Sequence, residues 1–233
     1  MTNTNGLFIT GTGTNVGKTF TSGFIANMLS HLGKKVLYYK LIQCGAAESD
    51  GEEFPGGDTE ILEKKFGHPH TYCSFQLKTP ASPHYAFSVE SKIFHPQEIH
   101  DKLLFSRKEY DFVIVEGAGG IRVPVSPSLE MSDLARQISF PTIVVTYPGL
   151  GTLNHSLLTF EHLKHKQIPV AGFMMNSGTE TDMNSPLVQD TLQELSRRSS
   201  YRYLGAVPRF QNGKWNIERF EEHLLYQYFS RIL

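Results

Sequence analysis

The feature that most constrains the fold of this chain is a glycine-rich stretch near its N-terminus, residues 11–19, with the sequence GTGTNVGKT. It follows a short apolar run at residues 7–9 and precedes a segment whose apolar residues recur at helical spacing. A strand, a glycine-rich loop, the tripeptide Gly-Lys-Thr and a helix, in this order, are typical of the phosphate-binding loop of α/β nucleotide-binding proteins. Such a loop binds an anion through its backbone N–H groups and the positive end of the following helix. The stretch therefore predicts an α/β protein that binds a nucleotide.

Two side chains at the end of this loop carry specific expectations. We expect the ammonium group of Lys18 to contact the terminal phosphates and the hydroxyl of Thr19 to bind Mg²⁺. The spacing is unusual, because five residues separate Gly11 from Gly17, whereas the common motif has four. The loop is therefore a variant of that motif.

Composition limits the classes of protein to which the chain can belong. Of its 233 residues, 39% are hydrophobic and 19% are charged, so a sizeable core is expected and disorder is not. A formal net charge of −1 predicts neither nucleic acid nor an anionic membrane as a partner. Two cysteines do not make a disulfide framework, no signal peptide is recognised, and no apolar run approaches the roughly 20 residues of a membrane span. We expect a cytoplasmic protein.

Short apolar runs alternate with segments of helical spacing, which predicts a βαβα order. We expect strands at residues 7–9, 36–39, 112–115, 142–146, 170–175 and 203–207. We expect helices at residues 20–32, 59–66, 99–104, 131–138, 153–166, 187–197 and 217–232. Residues 67–97 are rich in proline and histidine, and we expect an irregular excursion there. The order predicts one P-loop NTPase-like α/β domain over residues 1–233, with a mostly parallel sheet and helices on both faces.

Two charged side chains follow predicted strands, at the end where open α/β sheets bind ligands. Lys40 follows the second strand, and with Lys18 it would place two cations around a transferring phosphoryl group. Taken alone, Lys40 would be interpreted simply as a lysine that ends a strand. Glu116 follows four apolar residues and precedes a glycine-rich turn, so we interpret it as a ligand of Mg²⁺ opposite Thr19. The alternative is an acid that caps this turn.

An acidic loop at residues 44–58 supplies a second candidate carboxylate, Asp58. Spacing alone does not distinguish Asp58 from Asp50, Glu52 or Glu53. Three further side chains have short spacings that could hold a metal, but they lack the second set of ligands that a zinc site requires. These are His68, His70 and Cys73.

Five motifs that occur in order along the chain resemble those of the dethiobiotin synthetases, from about residue 7 to about residue 210. They are the loop at residues 11–19, Tyr39-Lys40, Ser82-Pro83-His84, the segment VEGAGG at residues 115–120, and Gly151-x-x-Asn154-His155. The five-residue loop spacing also belongs to that family. The combination is far more specific than any one motif.

The resemblance implies a ligase that depends on ATP and Mg²⁺ and closes a cyclic urea on 7,8-diaminopelargonate with CO₂. In that family one amine captures CO₂ as a carbamate, the carbamate accepts the γ-phosphoryl group to give a carbamic-phosphoric anhydride, and the second amine displaces phosphate. The resemblance gives catalytic roles to Lys40, Lys18 and Thr14, with the two lysines beside the carbamate and the γ-phosphate. The positions that match the magnesium ligands are Thr19, Asp58 and Glu116.

The resemblance also implies contacts to each substrate. The positions that match ATP contacts are Asn15, Val16, Gly17, Lys18, Thr19, Phe20, Asp58, Glu116, Gly117, Ala118, Gly119, Asn176, Ser177, Pro208, Arg209 and Phe210. Cys44 matches a position near the substrate amines and the carbamate. The substrate carboxylate is received from the neighbouring subunit at a helix start, which implies a homodimer and agrees with the affinity of helix N-termini for anions. The matching positions are Gly151, Thr152, Leu153 and Asn154.

The chain departs from the family pattern at several positions. Cys44 stands where Ser or Thr is usual, so a weaker thiol hydrogen bond replaces that of a hydroxyl. Asn15 replaces an acidic residue that is common in the loop, and Leu41 stands where proline usually follows the lysine. The segment at residues 208–210 differs as well. These departures bear on nucleotide preference and substrate affinity more than on the type of reaction.

A second interpretation is a P-loop switch ATPase of the partition or septum-placement type, which dimerises around ATP. Such proteins usually carry a lysine early in the loop, and residues 12–16 contain none. The chain also lacks a lysine-rich amphipathic tail for a membrane surface. An amidoligase-type synthase is a third interpretation, but it usually needs an added glutaminase domain, for which 233 residues leave no room.

Overall fold

The structure, a computed structural model, describes residues 6–45, 56–176, 182–217 and 220–230. The strands are β1 (Gly6–Gly11), β2 (Val36–Cys44), β3 (Thr71–Leu77), β4 (Phe112–Gly120), β5 (Pro124–Ser126), β6 (Leu129–Glu130), β7 (Thr142–Thr146), β8 (Val170–Asn176), β9 (Tyr203–Val207), β10 (Phe210–Gln211) and β11 (Lys214–Trp215). The helices are α1 (Lys18–His31), α2 (Asp58–Glu60), α3 (Pro83–Val89), α4 (Pro96–Glu109), α5 (Met131–Ile138), α6 (Thr152–His165), α7 (Pro186–Ser199) and α8 (Leu224–Phe229). A π-helical turn at Ile61–Lys65 extends α2.

Within these ranges, seven strands form one parallel sheet in the order β3-β2-β4-β1-β7-β8-β9. The chain begins at the centre with β1, runs outward through β2 to β3, returns to β4, and then continues on the other side of β1. Ligands of open α/β sheets bind at the carboxyl ends of the strands where the order reverses in this way. The glycine-rich loop follows β1 directly, so it lies at that point of reversal. The predicted α/β, P-loop NTPase-like fold with a mostly parallel sheet is confirmed.

Apolar layers cover both faces of the sheet. On one face, Phe24 and Met28 of α1 and Leu225 of α8 pack in the same cluster as the central strands. On the other face, α3 to α7 contribute side chains such as Leu103 and Phe160. Each large apolar side chain that is fully buried stabilises the fold by roughly 1.5–3 kcal/mol. The two layers therefore hold the strand ends, and the loops that follow them, in fixed positions.

The prediction of an irregular excursion at residues 67–97 is wrong in part, because β3 and α3 lie inside it. The strand β3 is at the edge of the sheet, and most of its side chains are partly exposed. It therefore lacks the continuous apolar run that marks the central strands.

The predicted closing helix at residues 217–232 is also wrong in part, because the helix found there is shorter. The described residues there form a 3₁₀ turn, Phe220–Glu222, followed by the short helix α8. The imidazole of His223 accepts a hydrogen bond from the backbone N–H of Leu225 and so caps a new helix at this point. None of the helices in the described ranges is long and apolar enough to cross a membrane.

Candidate active site

A cavity of about 840 Å³ opens at the carboxyl ends of the central strands, and most of the predicted catalytic, ATP-binding and substrate-binding residues line it. They are Thr14, Asn15, Gly17, Lys18, Thr19, Phe20, Lys40, Cys44, Asp58, Glu116, Ala118, Gly119, Asn176, Pro208, Arg209 and Phe210. Val16 and Gly117 contribute backbone carbonyls, which accept hydrogen bonds from Asn176 and Lys40. Ser177, the remaining predicted ATP contact, lies outside the described residues.

The conformation of the phosphate-binding loop depends on Gly17. Its φ of 95° lies in the left-handed region, and a Cβ built at this position would lie 1.7 Å from Nδ2 of Asn176. Both the backbone angle and the close approach therefore require glycine. The same Nδ2 donates to the carbonyl of Val16 at 3.2 Å, so the end of β8 is tied to the loop.

The ammonium group of Lys18 bends back over the loop and donates to the carbonyl of Gly13 at 2.9 Å. Burial and the nearby charge of Lys40 lower the pKa of Lys18 to about 8, against the opposing effect of Glu116 and Asp58. A phosphate bound beside Lys18 would supply negative charge where this buried cation lacks water.

Lys40, Asp58, Glu116 and Thr19 meet at the centre of the cavity. The Nζ atom of Lys40 lies 2.6 Å from Oδ2 of Asp58 and 2.7 Å from Oε1 of Glu116. Burial alone would lower the pKa of Lys40, but the two carboxylates outweigh it and hold the pKa above its usual value. The hydroxyl of Thr19 lies 2.6 Å from Oδ1 of Asp58 and 3.2 Å from Oε1 of Glu116. The sequence prediction that these four residues share one site is consistent with this arrangement.

This set of donors fits Mg²⁺. The ion takes oxygen ligands and usually keeps several waters, with one or two carboxylates and the phosphates of a substrate completing its shell. The Thr19 hydroxyl and the carboxylates of Asp58 and Glu116 converge on one side of the loop and would hold it.

Asp58 is fixed by a neighbouring side chain that the sequence analysis did not single out, Gln43. The Oε1 atom of Gln43 accepts from the backbone N–H of Asp58 at 2.9 Å, and its amide group donates to the carbonyl of Gly56. Burial would raise the pKa of Asp58, but Lys40 and the hydroxyl of Thr19 lower it. Spacing could not separate Asp58 from the acids at positions 50, 52 and 53, which lie outside the described residues.

Sequence reasoning also missed Ser22 and Tyr38, whose hydroxyls lie 2.6 Å and 3.1 Å from Oε2 of Glu116. The signals that could have revealed them are short spacings. Ser22 stands three residues after Thr19 on α1, and Tyr38 stands two residues before Lys40 on β2. Each spacing returns a side chain to the same face of its element.

One part of the cavity wall, which we call the aromatic end, is formed by aromatic rings. Phe210 lines it from the hairpin of β10 and β11. Its ring packs at 4.8 Å from the ring of Phe66 and 5.0 Å from that of Trp215. With Pro208 and Asn176 nearby in the lining, this end has the apolar walls and few polar groups that suit a nucleobase.

Cys44 lines the cavity at the end of β2, on the side of Ser82 and Pro83. Burial raises the pKa of its thiol to about 11, although the charge of Lys40 acts in the opposite direction. The thiol is therefore protonated at neutral pH and is available only as a weak hydrogen-bond donor.

The predicted carboxylate-binding segment, residues 151–154, is not among the residues that line this cavity. It forms the first turn of α6, where Gly151 has a φ of 89°. The hydroxyls of Thr152 and Thr146 lie 2.7 Å apart, which ties the helix start to the end of β7. The neighbouring Leu150 is fully exposed. This segment therefore contributes no residue to the cavity lining of its own chain.

His68 and His70 pack ring against ring, with centroids 6.3 Å apart. Among the described residues, no group of three or more His, Cys, Asp or Glu side chains is placed to hold a metal ion. Cys44 and Cys73 are both free thiols.

Comparison with known proteins identifies a matching family and relatives that are similar over nearly the whole chain. A family model described as an AAA domain matches residues 5–215. The ATP-dependent dethiobiotin synthetase BioD of Methanocaldococcus jannaschii is 34% identical over 91% of this chain and 98% of its own. That of Anoxybacillus flavithermus is 34% identical over 89% of this chain and 93% of its own.

Solved structures with the same fold are more distant in sequence. A ParA family ATPase from Chlorobium tepidum has a TM-score of 0.55 at 14% identity, covering 90% of this chain and 86% of its own. The cell division protein MinD of Aquifex aeolicus has a TM-score of 0.53 at 13% identity, covering 98% and 87%. Likeness at this level concerns the fold alone, whereas the dethiobiotin synthetases match in sequence over nearly the full length. The chain therefore belongs to the AAA domain family and, within it, to the ATP-dependent dethiobiotin synthetases.

Proposed function

We propose that the protein carboxylates 7,8-diaminopelargonate with CO₂ and closes the ring to dethiobiotin, with cleavage of ATP to ADP and phosphate. The observation that carries this proposal is the position of Lys40. It lies on the floor of a phosphate-loop cavity, beside Lys18 and against the two carboxylates that would hold Mg²⁺. Two cations at this point stabilise both an anionic carbamate and the phosphoryl group that it accepts. We further propose that one domain, residues 1–233, carries the whole site.

The proposed reaction has three steps. The lone pair of one neutral substrate amine attacks CO₂, and the nitrogen loses a proton to solvent, which leaves a carbamate. A carbamate oxygen attacks the γ-phosphorus, and ADP leaves with the electrons of the broken bond. The second amine attacks the carbamoyl carbon, phosphate leaves with the electrons of the C–O bond, and the nitrogen loses its proton to the departing phosphate or to solvent as the cyclic urea closes. Lys18 and Lys40 would hold the anions of the first two steps, and Thr14, which lines the same cavity, would contact the carbamate. Bound Mg²⁺ supplies charge neutralisation at the phosphates.

Residue positions support the assignment of two parts of the cavity. The aromatic end at Phe210, with Asn176 and Pro208, would take the base, and Lys18 with the loop would take the phosphates. Cys44 and Ser82 also line the cavity, and the diamine would bind beside them. The thiol of Cys44 would make a weaker contact to an amine than a hydroxyl would.

The carboxylate of the diamine would bind at the start of α6 of a second copy of the chain. Support comes from the position of this helix start, which does not line the cavity of its own chain, and from the partial positive charge that backbone N–H groups at a helix start carry. The protein would therefore act as a homodimer.

The decisive experiment measures phosphate release with ATP and Mg²⁺, with diaminopelargonate and bicarbonate added together or singly. We expect release only when both are present, with dethiobiotin identified by mass spectrometry. Equal ATP hydrolysis with and without the diamine would exclude the synthetase and favour the P-loop switch ATPase. The ParA and MinD proteins share the fold of this chain. The absence of a lysine at residues 12–16 opposes the switch ATPase as its function.

A further inference from the structure

The buried carboxylate of Glu116 has two different oxygens. Its Oε1 lies 2.7 Å from Nζ of Lys40 and 3.2 Å from Oγ1 of Thr19. Its Oε2 lies 2.6 Å from Oγ of Ser22 and 3.1 Å from the hydroxyl of Tyr38. Oε1 thus faces Lys40 and Thr19 in the cavity, whereas among the described residues Oε2 is in contact with two neutral hydroxyls.

The two hydroxyls reach Oε2 from different elements. Ser22 stands three residues after Thr19, so both project from the same face of α1. Tyr38 stands two residues before Lys40 on β2, and in the parallel register Lys40 lies beside Glu116 on β4. Helix and strand therefore each present one residue to Oε1 and one to Oε2.

Fixed partners matter for this carboxylate because the last side-chain torsion of glutamate is broad and has no strong preference of its own. Ser22, Tyr38 and Glu116 are all fully buried. Water therefore cannot readily replace a lost hydroxyl, and the orientation of the carboxylate depends on the donors that the chain supplies.

We propose that Tyr38 and Ser22 are positioning residues, which hold Oε2 of Glu116 so that Oε1 is directed at the bound Mg²⁺–nucleotide. The inference rests on the proposed function, in which Glu116 is a magnesium ligand, and it adds two residues that do not line the cavity. Hydrogen-bond partners behind a metal ligand commonly account for roughly 10–100-fold in metal affinity or activity.

The chain offers a matched control in the adjacent residue, Tyr39. It is as deeply buried as Tyr38, but it projects from the other face of β2 and its hydroxyl lies 2.6 Å from Oγ of Ser74. Tyr38→Phe and Tyr39→Phe each delete one buried tyrosine hydroxyl and keep the ring. A general effect of losing such a hydroxyl appears in both variants, whereas an effect through Glu116 appears only in Tyr38→Phe.

The first measurement is the affinity for Mg²⁺, titrated by calorimetry into enzyme saturated with a non-hydrolysable ATP analogue. We expect about a tenfold loss in Tyr38→Phe and no change in Tyr39→Phe. Ser22→Ala provides a second variant, with a loss in the same direction. Thermal melts of each variant establish that it is folded.

The second measurement is steady-state kinetics. Tyr38→Phe is expected to lower kcat and to raise the Mg²⁺ concentration needed for half-maximal rate, while KM for the diamine is unchanged. Wild-type Mg²⁺ affinity in folded Tyr38→Phe and Ser22→Ala, or an equal loss in Tyr39→Phe, would overturn the proposal. Calorimetry needs no turnover, so it tests the positioning of Glu116 even if the diamine proves not to be the substrate.

Discussion

Lys40 is held between two carboxylates at a depth where its ammonium group is nearly inaccessible to water. Removing one partner from a buried ionic group commonly costs about 3–5 kcal/mol, because the remaining charges are left uncompensated. In this site the remaining charges would be Asp58 and Glu116, the pair that would also bind Mg²⁺. Lys40 and a bound Mg²⁺ would therefore neutralise the same two carboxylates.

This arrangement predicts a specific behaviour for Lys40→Met. The variant should lose on the order of 10²–10³-fold in kcat, since a cation at the developing charge is removed. Its affinity for the nucleotide should be retained, because Lys18 and the loop backbone remain. Without Lys40, Mg²⁺ becomes the main cation for Asp58 and Glu116, so it should raise the Tm of the variant more than that of the wild type.

Nucleotide affinity by calorimetry and Tm with and without Mg²⁺ are the two measurements. Lys35→Met, which removes an exposed lysine beside the ring of Tyr110, is the control and should leave both unchanged. A fall in nucleotide affinity as large as the fall in kcat would instead make Lys40 a phosphate anchor.

At the scale of elements, the β10–β11 hairpin connects Phe210, where we propose that the base binds, to the only tryptophan in the sequence. Trp215 is almost fully buried, and its ring lies 5.0 Å from that of Phe210, which faces the cavity. In a complex where the base stacks on Phe210, only the ring of Phe210 would separate it from the indole of Trp215, whose fluorescence can report binding.

We expect titration with a non-hydrolysable ATP analogue to give a saturable change in tryptophan emission. Phe210→Ala should weaken nucleotide binding, since stacking of a base on an aromatic ring is worth about 1–3 kcal/mol. Phe105→Ala removes an exposed ring on α4, far along the chain from the hairpin, and should have no effect. Equal nucleotide affinity in wild type and Phe210→Ala would contradict the assignment of the aromatic end to the base.

The elements that the sequence predicted correctly are those in which one physical signal dominates. Runs such as that in β4 are apolar throughout because both faces are covered, and the loop at Gly17 needs glycine for two independent reasons. The edge strand β3 has neither signal. The contacts at Glu116 were missed because Ser22 and Tyr38 are far from it in sequence and meet it only once β2, β4 and α1 are packed together.

For the whole molecule, three partly or fully buried histidines make stability depend on pH. Burial lowers the pKa of His68, His162 and His223 below the ordinary value of 6.5. For His223 the geometry explains the direction, because its Nδ1 accepts from the N–H of Leu225 and its Nε2 faces the carbonyl of Ala206 at 2.8 Å. A proton added to Nδ1 would break the first of these contacts.

The unfolded chain binds protons at these histidines below about pH 6.5, whereas the folded chain does so only at lower pH. Their contribution to stability is therefore complete above pH 6.5 and is lost as the pH falls from 6.5 through the lower folded-state pKa values. Urea midpoints should be lower at pH 5.5 than at pH 7.5. His223→Gln should reduce this difference, and the exposed His100→Gln should not. A midpoint that rises towards pH 5.5 would contradict the direction of the shifts.

The proposed dimer can be tested by combining two inactive variants of the chain. Asn154→Asp places a negative charge in the first turn of α6, where it would repel the carboxylate of the diamine, so this variant should have a raised KM and little activity.

The second variant, Lys40→Met, keeps α6 intact but inactivates its own cavity. In a mixed dimer, the cavity of the Asn154→Asp chain is completed by α6 of the Lys40→Met chain. Co-expression should therefore restore roughly a quarter of the wild-type rate, because half of the dimers are mixed and each has one complete site. Activity no greater than the sum of the two variants would mean that each chain binds its substrate alone.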